Sequence, residues 1–546
     1  MLRALVLGLL LLPVTAGALG VLAPAFGIFP ALGYRSVSLA PFADLLAVPG
    51  LTRAVGLSAS VGLLATGTSV VGAGLIAGVL AQGRWLNRMA RWLSPILAIP
   101  HASVAYGVMF LIAPSGIVAR LIAPLVGWER PPDLLIVNDP AGLALVFALV
   151  CKEVPFLLLM ILAALPQVPV RALGIAAGGL GADRLSAWWY VIWPNLYRQI
   201  RLPIFLVLAY SMTVVDVALI IGPTVPPTLS VLTVQWMSDP DLSLRMRGAA
   251  AAILQSGLVL GAILFWIGLE RGLRALGVRA IEQRVRPQLN TLRPIGWFAA
   301  GIIGATVITG LVMAAEWSMT QSWMWPDLWP RAGTLGHWQR FAADRDILAE
   351  TLILALGAAT LAVGLALALL ERQEDLPNWA LYLPLIAPQV AFLPGLQVMM
   401  LTFGLRQGIA PVFAAHLVFV FPYVWLTLAG PYRAWDRRFD AVAAGLGAGP
   451  WRRFWIVRGP MVLAAILKAW AIGAAVSIGQ YLPTLLIGGG RVTTLTTEAV
   501  AFAAGGDRRL IGVMTVAQTF AALMPIVIAI TVPRRLFRNR RGMLHG

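Results

Sequence analysis

Three ionisable side chains stand inside long apolar stretches: Lys152 and Glu153, adjacent within LVCKEVPFLL, and Asp216 within TVVDVALII. A charge held in hydrocarbon costs about 2.5–3.5 kcal/mol, so each must face protein or water. Such groups either line a polar path or pair with other helices. Adjacent residues on a helix do not face each other, so Lys152 and Glu153 look elsewhere, with Asp216 a partner for Lys152. His101 and Gln389 each follow a proline at the head of an apolar run, and Gln480 sits near the place equivalent to Asp216. Together, His101, Lys152, Glu153, Asp216, Gln389 and Gln480 are the candidate path-lining residues.

No constellation for bond chemistry accompanies them. Cys151 is the single cysteine, and the four histidines are scattered, so neither a disulfide nor a metal site is expected, nor any cofactor. A P-loop needs a lysine followed by Ser or Thr. The only lysines, Lys152 and Lys468, are followed by Glu153 and Ala469. The chain is therefore not read as an enzyme, and no catalytic residue is assigned.

The elements that would hold these charges are set by composition. Of 546 residues, 59% are apolar or aromatic and 12% charged, with mean hydropathy +0.84. Soluble chains carry about 25% charged residues. A soluble globular enzyme and a disordered chain are both excluded. An apolar run of about 20 residues crosses a bilayer as a helix. Twelve such runs are expected, near 4–28, 55–82, 94–116, 141–165, 202–222, 249–269, 294–315, 348–370, 380–404, 411–430, 464–487 and 511–532. The predicted fold is all-α, a polytopic membrane protein. The first run imitates a signal peptide through Arg3 and Ala16-Gly17-Ala18, but it continues to Ile28 and is read as a retained span.

The net charge of +18 is mostly a topology signal rather than a nucleic-acid footprint. With both termini cytoplasmic, arginines fall on the inner loops by about two to one. They include Arg84, Arg88 and Arg91, six from Arg271 to Arg293, six from Arg433 to Arg458, and five from Arg534 to Arg541. The loop at Glu371, Arg372, Glu374 and Asp375 runs against the trend, but acidic residues weigh little in the rule.

The chain also repeats itself. GGLGADRLSAWWYVIWP, ending at Pro194, matches AGLGAGPWRRFWIVRGP, ending at Pro460, at an offset of 266. Gly222 and Gly488, Thr228 and Thr494, and Asp241 and Asp507 keep that offset. Upstream, Pro100 and Gly107 pair with Pro388 and Gly395 at 288, so the first half carries about 21 extra residues after its third span. Two parallel six-helix repeats follow. Residues 1–277 form the first, with a loop over about 166–201. A basic cytoplasmic linker covers 278–293. Residues 294–546 form the second, with a loop over about 431–463.

Each repeated loop has small residues, a Gly, an aromatic pair, and a Pro thirteen residues after the Gly. The Gly permits a tight bend, and large apolar side chains anchor interfaces. The residues singled out are Ala177, Gly181, Trp188, Trp189 and Pro194, with Ala443, Gly447, Phe454, Trp455 and Pro460. The pattern resembles the EAA loop of binding-protein-dependent ABC importer permeases. The family's acidic position is Ile175 in one copy and Ala441 in the other. The fused two-half layout is similar to the ferric-iron and thiamine importer permeases and to the Ynj-type permeases. The resemblance implies an inner-membrane permease that forms a translocation path. Each loop would then dock one of two copies of an ABC ATPase subunit, and a periplasmic substrate-binding protein would deliver substrate outside. Lipid is the remaining partner, and nucleic acid is not one. The alternative is a twelve-span, proton-coupled secondary transporter with Glu153 and Asp216 as carriers; such a protein needs no paired docking loops.

Overall fold

The computed structural model describes residues 1–80, 93, 95–282 and 288–538. Arg84, Arg88, Arg91, Arg284, Arg286, Arg540, Arg541 and His545, counted above for topology or position, lie outside these. The fold is all-α apart from one small hairpin, β1 (Thr320–Ser322) with β2 (Ala332–Gly333). The first half contains α1 (Leu2–Ala25), α2 (Ala40–Leu46), α3 (Leu51–Leu80), α4 (His101–Ile112), α5 (Ile117–Val126) and α6 (Leu143–Ala164). It continues with α7 (Val170–Gly179), α8 (Arg184–Ala187), α9 (Trp193–Thr213), α10 (Asp216–Ile221), α11 (Leu229–Ser238) and α12 (Leu244–Glu282). The second half contains α13 (Arg293–Ser318), α14 (Gly336–Ala343), α15 (Arg345–Glu371), α16 (Asn378–Ile386), α17 (Gln389–Thr402) and α18 (Ile409–Arg433). It ends with α19 (Arg438–Gly445), α20 (Pro450–Arg453), α21 (Gly459–Ile478), α22 (Leu495–Gly505) and α23 (Arg508–Leu536).

Over their described residues all twelve expected runs are largely helical, but not all are straight spans. Among the described residues ten helical segments are long and apolar enough to cross a membrane, or eleven when α16 and α17, bent by 88°, are taken as one. The expected fifth span departs most. Its helix α9 begins with Trp193 and carries Arg198 and Arg201, then breaks after Thr213 before the short α10. Only the dozen residues from Leu202 to Thr213 are continuously helical and free of charge. The expected linker also differs. Helix α12 runs on to Glu282, and a 3₁₀ turn occupies Leu289–Leu292.

The 266 offset recurs in the backbone. Helices α8 and α20, the π turns Trp188–Ile192 and Phe454–Arg458, helices α9 and α21, and helices α11 and α22 all start at matched residues. Each half has its own core. In the first, Trp188, Leu196 and Ile204 pack with Ile76, Leu157 and Ile161; in the second, Phe421, Val424 and Leu428 pack with Ala362, Leu369 and Val462.

The halves are interlocked by their first helices. Helix α1 packs chiefly on α17 of the other half, and α13 packs on α4. The crossings are at glycine. A Cβ built on Gly395 would lie 1.9 Å from Gly17 O and 2.6 Å from Val21 N. One built on Gly20 would lie 2.4 Å from Gly395 O. At the second crossing a Cβ on Gly310 would lie 2.7 Å from Gly107 Cα. Helices in lipid gain little from apolar burial against each other, so close backbone approach through small residues holds them. Polar ties add to the second crossing. Ser103 Oγ donates to Gln518 Oε1 (2.9 Å), Gln518 Nε2 donates to Thr496 Oγ1 (2.5 Å), and Tyr106 donates to Ala499 O (2.5 Å).

A graded test follows from these distances. Gly395→Ala should lower the thermal midpoint of the purified protein most, Gly107→Ala less, and Gly257→Ala, which meets nothing within 4 Å, should not lower it. Overpacking of this kind costs about 1–3 kcal/mol. Equal midpoints for Gly395→Ala and Gly257→Ala would show that the crossing is not tight.

Candidate functional site: paired loops and an acidic midsection

The two repeated loops close by the same turn. Helix α7 ends at Leu180, and Gly181 follows with φ +84°. Gly181 N–H donates to Gly178 O (2.9 Å) and Ala182 N–H to Ala177 O (3.1 Å). In the second loop Gly447 has φ +80°, its N–H donates to Ala444 O (2.9 Å), and Ala448 N–H donates to Ala443 O (3.0 Å). A side chain in that left-handed conformation costs about 1–2 kcal/mol, which explains the glycine. Crossed hydrogen bonds back to the helix satisfy its last carbonyls.

Beyond the turn, Asp183 caps α8 by accepting from Ser186 N–H at 2.7 Å. The corresponding start of α20 uses Pro450 at its first position instead. Burial would raise the Asp183 carboxyl. The N–H groups of Ser186, Asn290 and Leu185 and the Ser186 hydroxyl outweigh it and hold the group below the usual carboxylate range. Asn290 belongs to the segment joining the halves. Its N–H donates to Asp183 Oδ2 (3.3 Å), its Oδ1 accepts from Leu185 N–H (3.3 Å), and Leu289 N–H donates to Ser186 Oγ (3.2 Å). The second loop is held by charge instead. Asp440 meets Arg453 (2.9 Å) and Arg458 (3.0 Å), and Glu371 meets Arg458 and the Tyr432 hydroxyl.

Pro194 and Pro460 stand second in α9 and α21. Proline cannot donate, and its ring clashes with the carbonyl four residues back. The π turns just before them relieve this. Trp193 N–H reaches back to Trp188 O, and Gly459 N–H to Phe454 O.

The first aromatic pair turns inward. Trp188, expected to anchor a partner, is 0% exposed. Its Nε1–H donates to Gly74 O at 2.9 Å, and a Cβ on Gly78 would lie 2.6 Å from its Cδ1. A Cβ on Gly74 would lie 2.6 Å from Trp189 Cη2. The pair therefore fills a notch that glycine cuts into α3, and roots its loop in the bundle. Phe454 is half-buried and Trp455 is exposed. Both loops also expose a leucine at a matched position, Leu180 (77%) and Leu446 (84%), one residue before each glycine. Sequence reasoning passed over them as part of the small-residue patch.

In the membrane midsection, Lys152 does not pair with Asp216. Its Nζ donates to the carbonyls of Leu97 (2.7 Å) and Ile99 (2.5 Å), with Ile96 at 3.4 Å. The helical stretch there ends against Pro100, which has no N–H, so its last carbonyls accept the ammonium instead. Glu153 Oε1 meets His101 Nε2 at 3.2 Å, and the Tyr210 ring lies 4.7 Å from the His101 ring. Asp216, at the break after α9, is within electrostatic reach of His101, Tyr106, Tyr210 and Tyr481. Glu153 is within reach of Tyr210 and Tyr423. His101, Glu153 and Asp216 thus converge, with tyrosines from both halves. Gln389 is half-buried at the start of α17, and Gln480 is buried at the break after α21. Among the described residues neither glutamine side chain hydrogen-bonds to these carboxylates. The tyrosines were not read from sequence, because within an apolar run a tyrosine raises no polar signal. His416 is a packing residue, bonded to Ser477 Oγ (2.7 Å) and Thr484 Oγ1 (2.9 Å).

No family model matches the chain. It is 29% identical over 502 residues to the inner membrane ABC transporter permease protein YnjC of Escherichia coli K12, covering 90% of each. It is 28% identical over 120 residues to the putrescine transport system permease protein PotI of the same strain, 20% of this chain and 42% of that protein. It is also 24% identical over 164 residues to the spermidine/putrescine transport system permease protein PotC of Haemophilus influenzae, 28% of this chain and 64% of that protein. These likenesses support the permease reading over the secondary transporter. Over 90% of its length the chain is thus similar to an inner-membrane permease of an ABC transporter, and a permease role is what these likenesses support.

Proposed function

We propose that residues 1–277 and 294–546 act as two fused permease repeats, and that each repeated loop receives one ATPase subunit. The observation that carries this is the pair of identical turns. Gly181 and Gly447 share one backbone conformation, and each presents an exposed leucine beside it. A chain related to itself by a pseudo-twofold axis fits two copies of one partner. An exposed leucine on a rigid turn is the kind of apolar knob that fills a pocket. ATP hydrolysis then belongs to those partner subunits, since this chain has no P-loop lysine.

The arginine bias assigns both loops and both termini to the cytoplasm. The start of α1 supports a common face, since Arg3 N–H donates to Glu374 Oε2 (3.1 Å) near the second loop. The opposite face, which carries α5 and the β1–β2 hairpin, would receive a substrate-binding protein. Arg120 of α5 binds that hairpin region, donating to Met324 O (2.7 Å) and Asp327 O (2.5 Å) and lying over the ring of Trp323. This ties the extra residues of the first half to the outer loop of the second.

Topology is tested with reporters. A cytoplasmic reporter fused after His545 should be active, and a periplasm-specific one should work after Trp329 and fail after Arg286. The reverse pattern would place both loops on the wrong side. Docking is tested by Leu180→Asp and Leu446→Asp. A carboxylate desolvated in a packed contact costs a few kcal/mol, so copurification of the ATPase should fall by about 10- to 100-fold. Both positions lie outside the spans, so permease abundance should hold while uptake drops. Full copurification in the double variant would remove the loops from the coupling role. The purified chain without its partner should hydrolyse no ATP above background, and activity of the chain alone would refute the division of labour.

A further inference from the structure

The third span of each half is broken at a proline, and the two breaks are held in different ways. In the first half the chain is helical up to Ala98, halts at Pro100 and restarts as α4 at His101. Two adjacent residues of α6 grip the two arms of that break. Before it, Lys152 Nζ donates to Leu97 O (2.7 Å) and Ile99 O (2.5 Å). After it, Glu153 Oε1 meets His101 Nε2 (3.2 Å). Neighbouring side chains on a helix diverge by about 100°, which lets one residue serve each arm. Both are buried, Lys152 at 5% and Glu153 at 4% exposure. Swinging the inner arm away would strip the ammonium of its acceptors at a depth where neither side finds water.

The second half has no such grip. Pro388 stands at the matched place, between α16 and α17, which are bent by 88°. The repeat-mates of Lys152 and Glu153 are Phe419 and Val420, whose side chains carry no polar atom. Phe419 packs instead on the ring of Phe392 in α17, with centroids 6.0 Å apart. Ring packing tolerates a change of angle better than a charge-assisted hydrogen bond does. The outer arm of this break, α17, is pinned to α1 at Gly395. The inner arm, α16, is entered from a segment bonded to the second loop. Arg458 meets Glu371, and Arg433 meets Asp375 (2.9 Å) just before α16 begins.

We propose that Lys152 and Glu153 are positioning residues that clip the break of the first half rigid, and that the break between α16 and α17 is the hinge that changes angle during transport. This rests on the permease reading and adds which half moves.

The test uses the permease with its copurified ATPase, reconstituted in lipid, in a Cys151→Ala background. Spin labels are placed in pairs across each break: Ile96→Cys with Val118→Cys in the first half, and Trp379→Cys with Leu401→Cys in the second. Val118, Trp379 and Leu401 are exposed and Ile96 is half-buried, so labels fit. The distance within each pair is read with and without ATP. The second pair should shift by more than about 2 Å, as in hinge rearrangements, and the first should not shift. Lys152→Met should broaden the first-pair distribution, make it respond to ATP and lower uptake several-fold. Lys152→Arg, which keeps the charge, should restore most of each. Glu153→Leu frees only the outer arm and carries the same test should Lys152→Met not fold. Equal shifts in both pairs, no shift of the second pair with the ATPase bound, or an unchanged first pair in Lys152→Met would overturn the assignment. Failure of the ATPase to copurify would count against the permease reading alone, because the width of the first-pair distribution in Lys152→Met needs no nucleotide.

Discussion

Hydrocarbon removes the force that assembles soluble proteins. A leucine on one helix gains little by leaving lipid for another leucine, so a bundle of apolar helices must be held by what lipid cannot supply. Here that is contact of backbone with backbone. Gly17 and Gly20 of α1 lie against Gly395 of α17, and Gly310 of α13 lies against Gly107 of α4. Because each first helix crosses to the other half, neither half is complete without its partner. The crossings bring α4 against α22 and α23. There Ser103, Gln518 and Thr496 hydrogen-bond in series and Tyr106 donates to Ala499 O, satisfying polar atoms that would be costly to leave unpaired at that depth.

The same principle roots the first loop. Gly74 and Gly78 thin one face of α3, and Trp188 and Trp189 fill the space. The loop is therefore not a tether on the bilayer surface. It runs through a π turn, without a flexible joint, into α9, whose far end breaks at Thr213 beside Asp216. The second loop reaches the break after α21 by the same route. The first loop is thus joined through α9 to the break beside Asp216, and the second through α21 to the break beside Gln480.

Much of this was legible in the chain. Apolar runs marked the long helices, and the 266 offset marked the correspondence of the loops, because both are properties of local composition and order. The Gly-to-Pro spacing was legible for a physical reason: glycine sets the left-handed turn and proline forces the π turn. What escaped was set by three-dimensional neighbours. Nothing local tells that Trp188 turns inward, since its receptor is two glycines more than a hundred residues earlier. Lys152 looked like half of an ion pair because sequence displays side chains and hides carbonyls. The break at Val214 escaped because valine there carries no Pro or Gly signal. The linker was placed from residue 278, but its first residues extend α12 to Glu282.

Duplication has preserved the parts unequally, and the inequality follows their tasks. The turns at Gly181 and Gly447 match to within a few degrees of φ, as the proposed contacts with two identical partners would require. Their supports do not match: Asp183 and Asn290 brace one loop, and Asp440 with Arg453 and Arg458 braces the other. A brace has only to hold a shape, so many chemistries serve. At the midsection the two halves diverge altogether, with Lys152 and Glu153 facing Phe419 and Val420 across the repeat. On the proposed reading, symmetry is kept where two partners would dock and relaxed where one substrate would pass.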